Sequence, residues 1–312
     1  MFVKKLYKLF SWEIVKVSGV KMSYLQINEK ISLYYEEYGQ GDVTLDNVII
    51  SAQVGFYPKG MQQHLAKMGY HVFCITLRGF HPSTLIDEDY GEHWYDIFAD
   101  DVISFANKLG IGNFIYMGAS HGAGVGWHLM LRHGKRIRAF VAVVAGPHSL
   151  AEGTMSYRQM LAQGIIKEIP PFNPPIDNDA ARQKRRDVRA EHIEKLMLPP
   201  EPERKIDYGR PLMKLKNEEK LCAELNKIKT PVILIGGIDD PISTPELMIR
   251  TAKCLPNCKL VIYSNCGHDI DTDLIEETCE ETDRFLRNVL ATGKIYQPVV
   301  EQLDNLKAEN KL

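Results

Sequence analysis

Ser120 stands between two glycines in Gly118-Ala119-Ser120-His121-Gly122, a G-x-S-x-G pattern. A serine hydroxyl becomes a nucleophile when it is held clear of the backbone and a neighbouring base takes its proton. The apolar run Asn113 to Met117 precedes the pattern, and a helix-like stretch, His121 to Arg132, follows it. Strand, sharp turn and helix in that order are what a nucleophile elbow requires. The glycines allow the strained turn, and the turn lifts the hydroxyl above the sheet. The bland alternative is a strand-to-helix turn whose serine only caps the helix. Partners further along the chain weigh against it.

The first partner is an acid. The apolar run Val232 to Ile235 ends in Gly236-Gly237-Ile238-Asp239-Asp240-Pro241. A carboxylate at the carboxyl end of a parallel strand sits on the functional edge of a sheet. Taken singly, Asp240 is equally a turn residue or a helix-start acid. The second partner is His268, in Ser264-Asn265-Cys266-Gly267-His268-Asp269, after the next apolar run and before a final helical stretch. Alone it reads as a surface histidine. Chance does not easily place an acid and a histidine each after its own strand. Gly122, Gly124 and Gly126 let the helix after Ser120 pack closely and do not form a dinucleotide fingerprint.

The elements that must carry these residues alternate. Asn47 to Ala52, His71 to Thr76, Phe114 to Met117, Phe140 to Ala145, Val232 to Ile235 and Leu260 to Tyr263 are short and largely apolar. That is expected of parallel strands covered on both faces. Helical patterns separate most of them: Met61 to Met68, Trp94 to Leu109, His121 to Arg132, Pro245 to Cys254 and Asp273 to Leu290. Trp94 to Leu109 shows the periodicity best, with Phe98, Val102, Phe105, Ala106 and Leu109 on one face. Two extended segments, Ser23 to Asn28 and Lys30 to Tyr38, open the domain. The expectation is an α/β fold around a mostly parallel, doubly wound sheet. From Gly146 to Thr230 the rhythm stops, and proline clusters and charged helical runs take its place. This is expected to be an inserted helical cap.

The expected division is an N-terminal extension over 1–21, a core over 22–146 and 230–292, a cap over 147–229 and a tail over 293–312. Residues 1–21 mix apolar and lysine residues. They read either as an amphipathic helix on a membrane surface or as an extension ahead of the domain, and the second is preferred. With 312 residues, 45% of them hydrophobic, and a net charge of −2, nothing in the composition points to nucleic acid. The basic cluster Arg182 to Arg189 reads as a solvated helix face. The six cysteines (Cys74, Cys222, Cys254, Cys258, Cys266 and Cys279) lack the C-x-x-C spacing of zinc ribbons. They are expected to be free thiols in a reducing, cytoplasmic setting.

In layout, residues 22–290 resemble the α/β-hydrolase fold superfamily, in its serine-nucleophile, esterase- or lactonase-like branch with a helical cap. Gly237-Ile238-Asp239-Asp240-Pro241 and Gly267-His268 are similar to that family's acid and histidine motifs. The resemblance implies Ser120 as nucleophile, His268 as general base and then acid, and Asp240 as the orienting carboxylate, with Asp239 as runner-up. It also implies an oxyanion hole from the backbone N–H groups of His121 and, in Gln53-Val54-Gly55-Phe56, of Phe56. Gln53 is a possible side-chain contributor. The family's D-x-R-G-x-G-x-S turn is matched in part by Thr76 to Ser83, which reads as structural. His148 lies at the same sheet edge and ranks below His268 as a base.

Epoxide hydrolases and haloalkane dehalogenases share this layout but carry aspartate at the elbow, so Ser120 points to acyl transfer. The expected function is hydrolysis of a carboxylic ester or lactone of a small or medium organic substrate, with no cofactor and no metal. The rivals are carbon–carbon bond hydrolysis, acyl transfer to another acceptor, peptidase action, and a hydrolase-like ligand receptor.

Overall fold

The computed structural model describes residues 20–40, 47–53, 59–155, 157–176, 178–196 and 209–295. Phe56, residues 1–19 and residues 296–312 lie outside them. One sheet of eight strands organises the chain: β1 (Val20–Gln26), β2 (Ser32–Tyr38), β3 (Val48–Gln53), β4 (His71–Thr76), β5 (Phe114–Ala119), β6 (Ile137–Val143), β7 (Val232–Gly237) and β8 (Cys258–Tyr263). Their spatial order is β1-β2-β4-β3-β5-β6-β7-β8. The β1–β2 and β2–β4 pairs are antiparallel, and every other pair is parallel. The pairing takes in Val20 and Lys21, opposite Tyr38 and Glu37, so the first strand starts two residues ahead of the expected boundary at Met22.

The apolar strands are buried on both faces because helices cover both. In β3, Val48, Ile50 and Ala52 face one core and Ile49 the other. The first core packs β3, β4 and β5 against α2 (Trp94–Lys108) and α3 (His121–His133), through Trp94, Phe98, Phe105 and Trp127. The second packs Ile115, Met117, Val141 and Ile233 against α1 (Gly60–Lys67) and α9 (Ile275–Thr292), through Met61, Leu65, Phe285 and Leu286. Each such side chain, fully buried, contributes on the order of 2 kcal/mol. The period-2 alternation of the strands is thus matched by helices with 3.6-residue apolar stripes on either side.

Between β6 and β7 lie α4 (Tyr157–Ala162), α5 (Ala180–Leu196) and α6 (Glu218–Leu225), with no strand among the described residues. After β7 come α7 (Pro245–Cys254), then β8, the short α8 (Ile270–Asp273) and α9. Leu274 separates the last two, and α9 covers the expected helical stretch Asp273 to Leu290 to within two residues at each end. No helix among the described residues is long and apolar enough to cross a membrane.

Two expectations are corrected. Cys222 on α6 and Cys254 on α7 form a disulfide, with Cα atoms 5.0 Å apart, rather than free thiols. Cys222 lies 32 positions upstream of its partner. The basic cluster of α5 is not a solvated face either. Arg182 is 6% exposed and, with Arg186, binds the fully buried Asp273 carboxylate.

Candidate active site

Strand β5 delivers Ser120 to the sheet edge in a backbone conformation that side chains other than glycine seldom adopt, φ 50° and ψ −114°. Such strain costs about 1–3 kcal/mol and persists where the surroundings over-determine it. The surroundings do so here. The Ser120 N–H donates to Val143 O at 3.0 Å, and its carbonyl accepts from Gly124 N–H at 2.9 Å. A Cβ on Gly118 would sit 2.4 Å from the Gly122 carbonyl, and one on Gly122 would sit 2.4 Å from Ala52 O. The two glycines of the pattern are therefore demanded by backbone-to-backbone approach.

The acid and the histidine arrive on the turns after β7 and β8. His268 Nδ1 is 2.8 Å from Asp240 Oδ2, and His268 Nε2 is 2.9 Å from Ser120 Oγ. A carboxylate only accepts, so Nδ1 carries the proton and Nε2 is free to accept the serine O–H. Asp240 is 2% exposed, and its second oxygen accepts from the N–H groups of Ile242 at 2.8 Å and Ser243 at 3.0 Å. Both carboxylate oxygens are thereby engaged and the group cannot rotate. Asp239, the runner-up, is exposed.

The sheet agrees with the comparisons. A family model described as the alpha/beta hydrolase fold matches residues 51–172. The AB hydrolase superfamily protein YisY of Bacillus subtilis (strain 168) is 25% identical over 260 residues, 78% of this chain and 91% of that one. The chain has the α/β-hydrolase fold. Bifunctional epoxide hydrolase 2 of Rattus norvegicus is 26% identical to this chain over 161 residues, 50% of this chain and 27% of that one. Among solved structures, serine hydrolase CCSP0084 from the polyaromatic-hydrocarbon-degrading bacterium Cycloclasticus zankles has the same fold, with a TM-score of 0.65 at 17% identity. That match covers 87% of this chain and 99% of the other.

The His121 N–H is the first of α3. It belongs to the first turn, at the positive end of the helix dipole. The His121 ring is held by the Tyr95 hydroxyl through Nδ1. Phe56, the other oxyanion expectation, falls outside the described residues. Gln53 turns its amide nitrogen to Ser51 Oγ at 3.4 Å, while its buried Oε1 has no hydrogen-bond partner among the described residues. Burial, then the charges of Arg210, His121 and His268, pushes the His148 imidazole down to about 4, so it is neutral at physiological pH. The turn after β4 is structural as expected: Arg78 makes a two-pronged bond to Asp101, and Ser83 Oγ donates to Thr76 O.

Sequence reasoning missed what stands over the histidine. Phe172, 40% exposed, meets the His268 ring edge to face, with centroids 6.1 Å apart. Asn173 and Arg189 both bind Asp269. Arg182, Arg186 and Arg189 recur at helical spacing, a one-face stripe that the sequence does carry.

Proposed function

We propose that this α/β-hydrolase is a serine hydrolase that cleaves a carboxylic ester or lactone of a small or medium organic substrate through an acyl-enzyme. The observation that carries the reading is the unbroken chain Ser120 Oγ, His268 Nε2, His268 Nδ1, Asp240 Oδ2, with links of 2.9 and 2.8 Å. His268 takes the serine proton as Ser120 attacks the carbonyl. The imidazolium so formed faces Asp240, which stabilises it without itself accepting the proton. Negative charge grows on the former carbonyl oxygen, where the His121 N–H at the start of α3 offers a preorganised donor. His268 then protonates the departing alcohol. It next deprotonates a water, and that water releases the acid from Ser120. The exposed ring of Phe172 beside His268 supports an organic rather than a strongly hydrated substrate.

Residues 147–229, which carry α4, α5 and α6, serve as the cap over this site. The Cys222–Cys254 bond belongs with an oxidising environment, so the cytoplasmic expectation is not carried into the proposal. The test is a p-nitrophenyl ester series of graded acyl length, with wild type beside Ser120→Ala. Turnover that falls by about 10⁴-fold or more in the variant supports the reading. No turnover from folded wild type overturns the ester assignment and favours carbon–carbon cleavage, another acyl acceptor, peptide substrates or a receptor role.

A further inference from the structure

His268 is held from two sides, and only one of them is Asp240. Its backbone N–H donates to Phe172 O at 2.8 Å. The next N–H, that of Asp269, donates to Asn173 Oδ1 at 2.9 Å. Asn173 Nδ2 returns a bond to Asp269 Oδ2 at 2.7 Å. Two consecutive peptide donors of the histidine turn are thus satisfied by the segment between β6 and β7, not by the sheet.

The approach is close enough to exclude a side chain before the histidine. A Cβ on Gly267 would lie 2.1 Å from Phe172 O and 2.7 Å from Asn173 Cα. The same segment is itself fixed. Arg186 donates to Pro174 O at 2.6 Å and also binds Asp273, while Arg189 binds Asp269 Oδ1 at 2.6 Å. Asp269 therefore receives Asn173 on one oxygen and Arg189 on the other.

The geometry points to Asn173 as a positioning residue for His268. Its side chain clamps the Asp269 peptide and carboxylate, and so sets the direction in which the imidazole faces Ser120. The inference rests on His268 being the base proposed above. Asn173 touches neither Ser120 nor Asp240 and acts through the turn alone. Removing its amide leaves a buried peptide N–H without an acceptor and frees the turn to drift. A displacement of about 1 Å at a reacting group lowers rates on the order of 100-fold.

The test compares wild type, Asn173→Ala and the exchange pair Asn173→Asp with Asp269→Asn, all as full chains. In the exchanged pair, a carboxylate at 173 accepts from the 269 peptide N–H as before and now also from the amide at 269, so both bonds return, the side-chain one with donor and acceptor exchanged, and Arg189 keeps an anion nearby. On p-nitrophenyl butyrate, Asn173→Ala is expected to lose about 10- to 100-fold in kcat with KM within about threefold. The exchange pair is expected to recover most of that loss. A second measurement needs no substrate: the downfield proton resonance of the His268 Nδ1–H, identified as the one lost in His268→Gln. It should broaden in Asn173→Ala and return in the exchange pair. Wild-type kcat and an unchanged resonance in Asn173→Ala would overturn the assignment. So would a folded exchange pair as slow as the single variant. Wild type inert towards every ester would sink the ester reading alone, because the resonance still decides the role of Asn173.

Discussion

His128 and Asp96 form a second buried imidazole–carboxylate pair, with Nδ1 and Oδ1 2.7 Å apart, on the helix that begins beside Ser120. No serine completes it. His128 Nε2 accepts the N–H of Leu212 at 3.0 Å, and Lys214 holds the other oxygen of Asp96 at 2.5 Å. The same two residue types that meet beside Ser120 here pin the chain ahead of α6 to α3. Burial keeps the His128 ring below its ordinary value, although Asp96 pulls the other way.

His128→Ala is therefore expected to cost about 2–4 kcal/mol, since it orphans a buried N–H and leaves one oxygen of the Asp96 carboxylate without its imidazole partner. The unfolded imidazole takes up a proton near pH 6.5 while the folded one resists, so stability should fall as pH drops below about 6.5. The variant should show a flatter dependence. Urea midpoints between pH 5 and pH 8 measure both effects, and an unchanged midpoint in the variant would refute the account.

The two neighbouring aspartates separate cleanly. Asp240→Asn should lower kcat by about 10³- to 10⁴-fold, because an amide neither fixes the Nδ1–H tautomer nor stabilises the imidazolium. Asp239→Asn, at an exposed position, should stay within about twofold of wild type. Ester kinetics on the two purified variants decide it, and the reverse ranking would reassign the acid.

Strain at the nucleophile should be visible in stability. Ser120→Gly removes the Cβ that disfavours φ 50°, whereas Ser120→Ala keeps it. The glycine variant is expected to be more stable than the alanine variant by about 1 kcal/mol, with both inactive. Thermal melts of the pair test this, and a less stable glycine variant would contradict it. Gly122→Ala should fail in the opposite sense, losing activity and at least about 2 kcal/mol through its clash with Ala52 O.

Asp271, 6% exposed, carries a cost that depends on pH. Burial first, and then the Asp269 carboxylate, push its acid up to about 7 against the opposing pull of Arg189 and His268. Between about pH 4 and pH 7 the unfolded chain has lost this proton while the folded chain keeps it. Stability therefore declines as pH rises through that window and levels off above 7. Asp271→Asn should flatten the decline and add on the order of 1–3 kcal/mol at pH 8. A variant less stable than wild type at pH 8 would show that the ionised form is wanted.

The legible parts of the molecule were those where local pattern and tertiary role coincide. β4 and α7 run over the residues that periodicity indicates, His71–Thr76 and Pro245–Cys254, since an apolar run and a proline at the first helical position are local signals. Ser120, Asp240 and His268 could be read because each follows its own strand. Arg182 misled because a basic residue in a charged run is normally solvated, and only the distant Asp273 makes its burial favourable. Asn173 gave no sign, since its partner lies 96 residues on and an asparagine among prolines reads as a turn. Cys222 was equally mute, as a sulfur pair is a matter of distance in space.

That sulfur pair closes a ring of chain that contains all of β7 and Asp240. Pulled from its ends, the protein can lengthen everywhere except inside this ring. Full extension should fall short by roughly 100 Å, the span of chain across the 32-position separation of the two cysteines. A reductant restores that length. Under mechanical load, Asp240 is thus the one member of the hydrogen-bonded trio Ser120, His268 and Asp240 sheltered within a covalent loop.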